Sequence, residues 1–336
     1  MKKAIAEENW INGLAHALNL AEKEGFKEAS KKYAPLRRHR RRVKKLCRYV
    51  RKKKMKLPSK LVLGCKTRWH FFILEEKSLK NVWKEVTTIM IRRDQSARLK
   101  YIKEDYMSKL IDFYEPWEEC YKLVSVTSKP SLHHVVHIYV TLRDSLMPQA
   151  EDSAPIMILK RETLAAMIKV RRIITHYHLA AYRLRGFKPS LPEDFGGEEA
   201  ECDDFIRSLM NDVNPDHAKS AQELPPKKVR ILNSKKKKSI YDDSDYSDDD
   251  EIKMDPREGD ELDKYLMDNS KAGFKKRHLW DDPYLFWNSD YARGKYKTLR
   301  TVAQIIFSVP AGAVGCERLF SALKRVVNSR STRLTP

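Results

Sequence analysis

Cysteine is scarce in this sequence, and the cysteines that it has are far apart. The chain has 336 residues and five cysteines, none of them spaced as a CxxC pair: Cys47, Cys65, Cys120, Cys202 and Cys316. This spacing excludes a local zinc finger and suggests no disulfide framework. We therefore expect a reducing compartment, the cytosol or the nucleus.

Long apolar runs are also missing. No stretch approaches the ~20 consecutive apolar residues that a membrane-spanning helix needs. The first residues, Met1-Lys2-Lys3, are followed by mixed polar residues and not by the apolar core of a signal peptide. We expect no membrane partner.

Charge, in contrast, is abundant and unbalanced. Lys and Arg number 67 against 46 Asp and Glu, which gives a formal net charge of +21. An excess of this size favours a polyanionic partner, because each neutralised phosphate of a nucleic acid releases condensed counterions. The alternative from composition alone is a basic protein whose charge serves solubility.

The charge is most concentrated in residues 36–56, which contain 13 Lys or Arg and no acidic residue. Leu36, Val43, Leu46 and Val50 recur there at helical spacing, which predicts a basic amphipathic helix. Its cations are candidate contacts to DNA phosphates, and we name five of them: Arg40, Arg41, Lys44, Lys45 and Arg48. A solvated helix or a nuclear-import signal would explain the same pattern.

Residues 1–187 are expected to be largely helical. Apolar positions over residues 7–33 predict an amphipathic helix, and residues 70–187 continue the helical pattern. Breaks are expected near four prolines: Pro116, Pro130, Pro148 and Pro155. Aromatic residues in this part are expected in the core: Trp83, Tyr106, Phe113, Tyr114 and Trp117. A short apolar run at residues 60–69 predicts a buried strand.

Residues 188–259 change in composition. They contain a Pro/Gly-rich acidic part, a basic part at 225–238 and a strongly acidic part at 241–251. Blocks of like charge bury too little apolar surface to offset chain entropy, so we predict a disordered linker. The basic part, with PPKKVR and KKKK, is a candidate importin-binding signal. Helical order is expected to resume with DELDKYL at 260–266.

The most specific string is LRTVAQIIFSVPAGAVGCERLFSALKRVVNSRSTRLTP, at residues 299–336. Leu299, Val302, Ile305 and Ile306 predict the apolar face of a helix that Pro310 ends. A second apolar stripe follows, and an isolated pair of such helices is marginal in water. We therefore expect the second stripe to be buried in the domain or in a partner subunit. Its candidate dimerisation residues are Leu319, Phe320, Leu323 and Val326.

This string resembles the C-terminal region of hAT-family transposases and of host proteins derived from them. The resemblance rests on FSVP at 307–310, CERLFS at 316–321 and RSTRL at 330–334. Cys316 stands where the family usually has Ser, and the chain stops at Pro336 where the family continues into one more helix. Three other strings are similar to family motifs in the same order: WINGLAHALNL at 10–20, CKTRWHFFILEEKSL at 65–79 and WDDPYLFW at 280–287.

The resemblance implies a mixed α/β, mostly α, protein with a partial ribonuclease-H-like transposase fold interrupted by a large helical insertion. On this basis we divide the chain into a core remnant at 1–69 that includes the basic helix 36–56, a helical insertion domain at 70–187, the linker at 188–259, and a truncated dimerisation region at 260–336. It also implies a nuclear protein that forms a homodimer or a heterodimer with another hAT-family protein.

For catalysis, the resemblance implies three acidic residues that hold two Mg²⁺ ions for phosphodiester transfer in active family members. Glu317 corresponds to the third of these residues. The two Asp positions precede the motif at 10–20, and residues 1–15 contain no Asp. We therefore expect no metal site, no cofactor and no transposase activity. The chain would be a truncated gene model or a domesticated remnant that lacks the first strands of the sheet and any BED zinc finger.

Four residues in these motifs have a structural interpretation as well. Arg68 and Trp69 resemble the family pair that handles a flipped base near the cleavage site, and a core tryptophan beside a surface arginine fits equally. His16, on an apolar helix face, is expected to be a core histidine and not a ligand. Glu317 fits a stabilising position at a helix N-terminus, where the helix dipole favours a carboxylate.

Two further functions remain open. The chain is a fragment of an active hAT transposase if catalytic Asp residues lie upstream of Met1. It is a basic chromatin- or RNA-binding protein if no transposase surface has been kept.

Overall fold

The computed structural model describes residues 13–63, 71–125, 129–185, 190–215, 259–268 and 282–311. Helices hold 74% of these residues, and this part of the chain contains no strand. The expectation of a mostly helical protein is confirmed. The strand predicted at 60–69 is absent from residues 60–63, and residues 64–69 lie outside the described residues.

The helices of the first half are α1 (Leu14–Lys32), α2 (Ala34–Lys52), α3 (Phe71–Lys80), α4 (Trp83–Arg92), α5 (Glu104–Val124), α6 (His134–Ser145) and α7 (Ala154–Arg171). They are followed by α8 (His176–Arg183), α9 (Glu199–Val213), α10 (Glu261–Met267), α11 (Tyr284–Trp287), α12 (Asp290–Lys295) and α13 (Lys297–Ser308). Short 3-10 helices occupy Ser96–Arg98 and Glu193–Glu198.

The main core joins α1 to helices from the rest of the chain. α1 packs along α7, with Leu14, Leu18 and Ala21 buried at the predicted helical spacing. The two helices are so close that a Cβ atom built on Gly25 would lie 2.3 Å from Thr163 Oγ1. α1 therefore shares its core with the predicted insertion domain, and the boundary drawn at residues 69 and 70 does not separate two packing units.

A second, smaller core lies under the C-terminal half of α2. Its buried residues come from α2, the loop after it, α3, α4 and the region around the start of α5, and they are Val43, Leu46, Cys47, Val50, Leu61, Leu79, Val82, Val86, Met90, Ile102 and Met107. Leu36, at the start of α2, belongs to the main core. α2 thus connects the two cores.

Pro116 does not break the chain as predicted, because it lies inside α5. Its ring removes one helical hydrogen bond. Buried residues on both sides of the proline, Phe113, Tyr114 and Trp117 among them, hold the helix against the main core. Burial of these large side chains outweighs the missing hydrogen bond, and it confirms the prediction that they are core residues.

The predicted linker begins too early. Residues 190–215 contain the 3-10 helix Glu193–Glu198 and helix α9, and Phe195, Cys202 and Ile206 are buried in the main core. The acidic residues that suggested a linker face solvent or pair with arginine. For example, Arg183 Nη2 lies 2.9 Å from Asp203 Oδ2.

The C-terminal helices confirm two predictions and correct one. α10 covers the DELDKYL string, and α13 ends at Ser308, two residues before Pro310. The buried face of α13 is Leu299, Val302, Ala303, Ile306 and Phe307. Ile305, predicted on this face, is 49% exposed because it lies on the opposite side of the helix from the core.

Candidate nucleic-acid interface

The start of α2 follows from its sequence. α1 ends at Lys32, and Tyr33 takes an extended conformation between the helices. Pro35 then lies in the first turn of α2, where a missing N–H costs nothing and the fixed φ suits a helix. Leu36, Val43 and Val50 repeat every seven residues on the buried side. The helix therefore turns most of its lysines and arginines towards solvent.

The solvent side of α2 is a dense row of basic side chains. Arg37, Arg38, Arg41, Lys45 and Arg48 are exposed, and Arg42 and Lys44 are half-buried. Within the described residues, none of these seven side chains has an acidic partner at ion-pair distance. Exposed lysines and arginines continue through Arg51 and Lys52, the last residues of α2, to Lys53 and Lys54 after it. The predicted contacts Arg41, Lys44, Lys45 and Arg48 all belong to this row.

Arg40 is different, and its prediction as a DNA contact is wrong. Its Nη1 atom lies 2.7 Å from Glu75 Oε2 and 3.8 Å from Glu76 Oε1, and only 14% of its side chain is exposed. Both glutamates are buried in α3. Arg40 therefore neutralises two carboxylates inside the protein and is not directed to an external phosphate.

His39 strengthens the same junction between α2 and α3. Its Nε2 atom lies 3.3 Å from Glu76 Oε2, and its ring meets the Tyr106 ring edge-on with 4.9 Å between centroids. These contacts fix the rotation of α2 about its axis. The basic row is consequently held on the solvent side and cannot turn inwards without breaking them.

The buried cysteines supply no reactive group near this surface. Burial, together with Glu75 and Glu76, raises the pKa of the Cys47 thiol far above its usual range. Burial likewise raises the pKa of Cys120 and of Cys202 to about 12. All three are neutral thiols at physiological pH. No group of three or more metal-ligating side chains occurs in the described part of the chain.

Sequence reasoning missed an aromatic residue beside the basic row. Tyr101 is 45% exposed, and three cations lie within 6 Å of its ring centroid: Arg38, Arg42 and Lys100. The available signal was a tyrosine inside the short basic string from Arg98 to Lys103. The link to α2 required the tertiary structure, because about sixty residues separate Tyr101 from Arg38 and Arg42.

The other predicted site residues are only partly described. His16 is exposed, so the expectation of a core histidine is wrong. Arg68 and Trp69, the importin candidate at 225–238, Glu317, and the stripe from Leu319 to Val326 lie outside the described residues. Among the described residues, no helix is long and apolar enough to cross a membrane.

Comparison with known proteins gives one informative match. Residues 261–336 match the hAT family C-terminal dimerisation region. No curated protein matches the sequence. The matched region begins with α10 and includes α13, whose buried faces are packed in the main core. The match shows that this C-terminal part of the chain is similar to the hAT dimerisation region.

Proposed function

We propose that this chain is a transposase-derived nuclear protein that dimerises through residues 260–336 and binds DNA through the basic row of α2. The row consists of the exposed or half-buried cations Arg37, Arg38, Arg41, Arg42, Lys44, Lys45 and Arg48. It supports DNA binding because these cations have no acidic partner in the described structure. A polyanion would neutralise them without displacing an internal ion pair.

Binding through such a row is expected to be strong at low salt and indifferent to sequence. Each phosphate neutralised by a cation releases condensed counterions, so log K falls by about 0.9 per phosphate for each tenfold rise in salt. Contacts to phosphates position a protein on the duplex but do not read the bases. The match to a dimerisation region adds a second consequence, since two copies of the row would double the number of phosphate contacts.

The test replaces three exposed members of the row together, Arg41, Lys45 and Arg48, by alanine. Duplex affinity is measured against salt by fluorescence anisotropy, and the slope of log K against log salt should fall by about 2 to 3 for each protomer that binds. The matched control removes three exposed cations elsewhere, Lys23 and Lys27 of α1 and Arg172 after α7. An equal loss in both variants would show that net charge, and not α2, determines binding.

Nuclear entry is proposed to depend on the basic part of the segment 225–238. Replacement of Lys235–Lys238 by alanine should leave the protein in the cytoplasm of transfected cells. Continued nuclear accumulation of this variant would overturn that assignment, while DNA binding in vitro would be unaffected.

We further propose that these 336 residues alone do not catalyse strand transfer. The sequence supplies one family acidic position, Glu317, and a single carboxylate cannot hold the two metal ions of the family reaction. The assay is Mg²⁺-dependent cleavage of a DNA substrate by the purified chain. Cleavage that disappears in the Glu317→Gln variant would overturn the proposal.

A fragment of an active hAT transposase is the second candidate. One observation favours it: the backbone of Leu14, in the motif at 10–20, is hydrogen-bonded to that of Ala311, which precedes the CERLFS string. Two family-like motifs are therefore brought together in space. The coding sequence upstream of Met1 distinguishes this candidate from the first, because an in-frame extension with two Asp motifs would supply the missing metal ligands.

A further inference from the structure

Tyr101 has an unusual position for an aromatic residue. It follows the 3-10 helix Ser96–Arg98, and its φ angle of +72° places it in the left-handed region. The residues around it are anchored, because Ile102 is buried and its N–H donates to the Leu99 carbonyl at 3.0 Å. This conformation is uncommon for a large side chain and persists where the surroundings hold it. The Tyr101 ring is thereby directed away from the core, with 45% of the residue exposed.

Three cations lie over the Tyr101 ring, at distances longer than that of direct stacking. The guanidinium carbons of Arg38 and Arg42 lie 5.9 Å and 5.7 Å from the ring centroid, and Lys100 Nζ lies at 5.2 Å. Stacked arginines in the same protein are much closer, as Arg98 shows at 3.7 Å from the Tyr49 ring. With 45% of the residue exposed, Tyr101 remains accessible to solvent beside these positive charges.

We propose that Tyr101 is a stacking platform for an unpaired nucleobase, and that Arg38, Arg42 and Lys100 neutralise the phosphates on either side of that base. The proposal rests on the proposed DNA-binding function of α2 and extends it to single-stranded nucleic acid. Arg38 and Arg42 belong to the basic row, so a strand that follows the row reaches the tyrosine directly. Sequence-tolerant binding of single strands combines these two components, a positive track and an aromatic face for stacking.

Duplex DNA would use the row alone. Its bases are stacked on one another, so their faces are not available to a side chain on the protein surface. The Tyr101 ring therefore should contribute to binding of an unpaired strand and not to binding of a duplex or of a polyanion without bases.

The central variant is Tyr101→Gly, chosen because glycine adopts a left-handed φ without strain. It removes the ring while it suits the backbone, so the melting temperature should be unchanged or higher. Three probes are compared by fluorescence anisotropy and competition: oligothymidylate, a duplex of the same length, and inorganic polyphosphate. We expect affinity for oligothymidylate to fall roughly 5- to 150-fold, as loss of one stacked base predicts. Duplex and polyphosphate affinities should change less than twofold.

Tyr101→Phe is the matched control, since it keeps the ring and removes only the hydroxyl. It should bind all three probes as the wild type does. Wild-type affinity of Tyr101→Gly for oligothymidylate would overturn the proposal, and so would an equal loss of affinity for all three probes. A lower melting temperature with unchanged binding would assign Tyr101 to stability instead.

The variant with Arg41, Lys45 and Arg48 replaced by alanine separates this proposal from the function on which it rests. If that variant loses affinity for every probe while Tyr101→Gly binds normally, only the stacking platform is wrong. If the triple variant binds every probe normally, the proposed role of α2 is wrong.

Discussion

The backbone nitrogen of Leu14 donates a hydrogen bond to the carbonyl oxygen of Ala311, at 3.1 Å. Leu14 is the first residue of α1, and no side chain caps that helix end. A carbonyl from almost three hundred residues later therefore satisfies one of the amide groups that a helix leaves unpaired at its start. In return, the segment after α13 is held at the beginning of α1.

Ser131 completes this junction, and its removal should destabilise the fold. The Ala311 amide donates to Ser131 Oγ at 3.0 Å, and both residues are buried. Ser131→Ala leaves that amide without its partner, so the free energy of unfolding should fall by about 1–3 kcal/mol. Urea denaturation gives the value. Ser308→Ala serves as the control, since that exposed hydroxyl bonds within its own helix. Equal stabilities of the two variants would show that the junction contributes nothing.

The close approach of α1 and α7 gives a prediction with a built-in comparison. In Gly25→Ala the new Cβ would lie 2.6 Å from the Thr163 Cα, a backbone atom that cannot rotate away. The helices must separate, and overpacking of this kind costs about 1–3 kcal/mol. A Cβ atom built on Gly294, in α12, would have no neighbouring side chain or other element within 4 Å. Gly294→Ala should therefore be neutral or stabilise by up to about 1 kcal/mol. Thermal melts give the melting temperature of each variant. Equal melting temperatures would show that α1 and α7 are packed less tightly than the structure indicates.

Arg40 and its neighbour Arg41 should separate stability from binding. Arg40→Ala removes the cation that lies against the buried carboxylates of Glu75 and Glu76, and loss of one partner from such a group costs about 3–5 kcal/mol. Arg41→Ala changes an exposed side chain, so stability should stay within about 0.5 kcal/mol. Chemical denaturation measures the stability of both variants. The salt dependence of duplex binding measures the contribution of Arg41 to binding.

If both arginines prove dispensable for stability, the interpretation of Arg40 as an internal ion-pair residue is wrong. If Arg41→Ala destabilises the protein as strongly as Arg40→Ala, the exposed face of α2 has been misassigned. Either result would require a different account of the basic row.

His178 should make stability depend on pH. Burial lowers the pKa of His178 from the usual 6.5 to about 4. The folded state therefore binds this proton less readily than the unfolded state. The stabilisation is complete above pH 6.5 and is lost as the pH falls from 6.5 towards 4, by up to about 3 kcal/mol in all.

The Nδ1 atom of His178 accepts the Thr175 amide at 3.0 Å, at the start of α8. Glutamine at this position can accept the same hydrogen bond but does not titrate. His178→Gln should flatten the stability profile between pH 4 and 6.5. His137, whose pKa burial also lowers to about 4, contributes a parallel loss in both proteins, so the difference between the two profiles isolates His178. Identical profiles would contradict the prediction.

The last prediction concerns the dimerisation region. Phe320→Asp places a charge on the apolar stripe of residues 319–327, and it should weaken self-association because a carboxylate is costly to bury. Multi-angle light scattering measures the mass. Ser321→Asp adds the same charge on the opposite side of a regular helix and should leave the mass unchanged. If neither substitution alters mass or solubility, the stripe does not mediate association.

The sequence alone determined the helices whose apolar positions repeat at helical spacing. α1, α2 and α13 follow from that spacing, and Pro35 and Pro310 lie at the start of α2 and after the end of α13. The motifs of residues 299–336 resemble the same family whose dimerisation region residues 261–336 match. Helices and family motifs both depend on residues that are close together in the sequence, which is why both could be predicted.

The tertiary structure decided which of the basic residues face solvent with no internal partner. Helical spacing distinguishes an apolar face from a polar one, but it does not show that Glu75 and Glu76 lie against Arg40. Nor does it bring Tyr101 beside Arg38. Each of these contacts joins residues that are at least 35 positions apart, and their energies depend on burial and on distances set by the whole fold. Charge density is a property of the sequence, whereas its availability to a partner is a property of the packed structure.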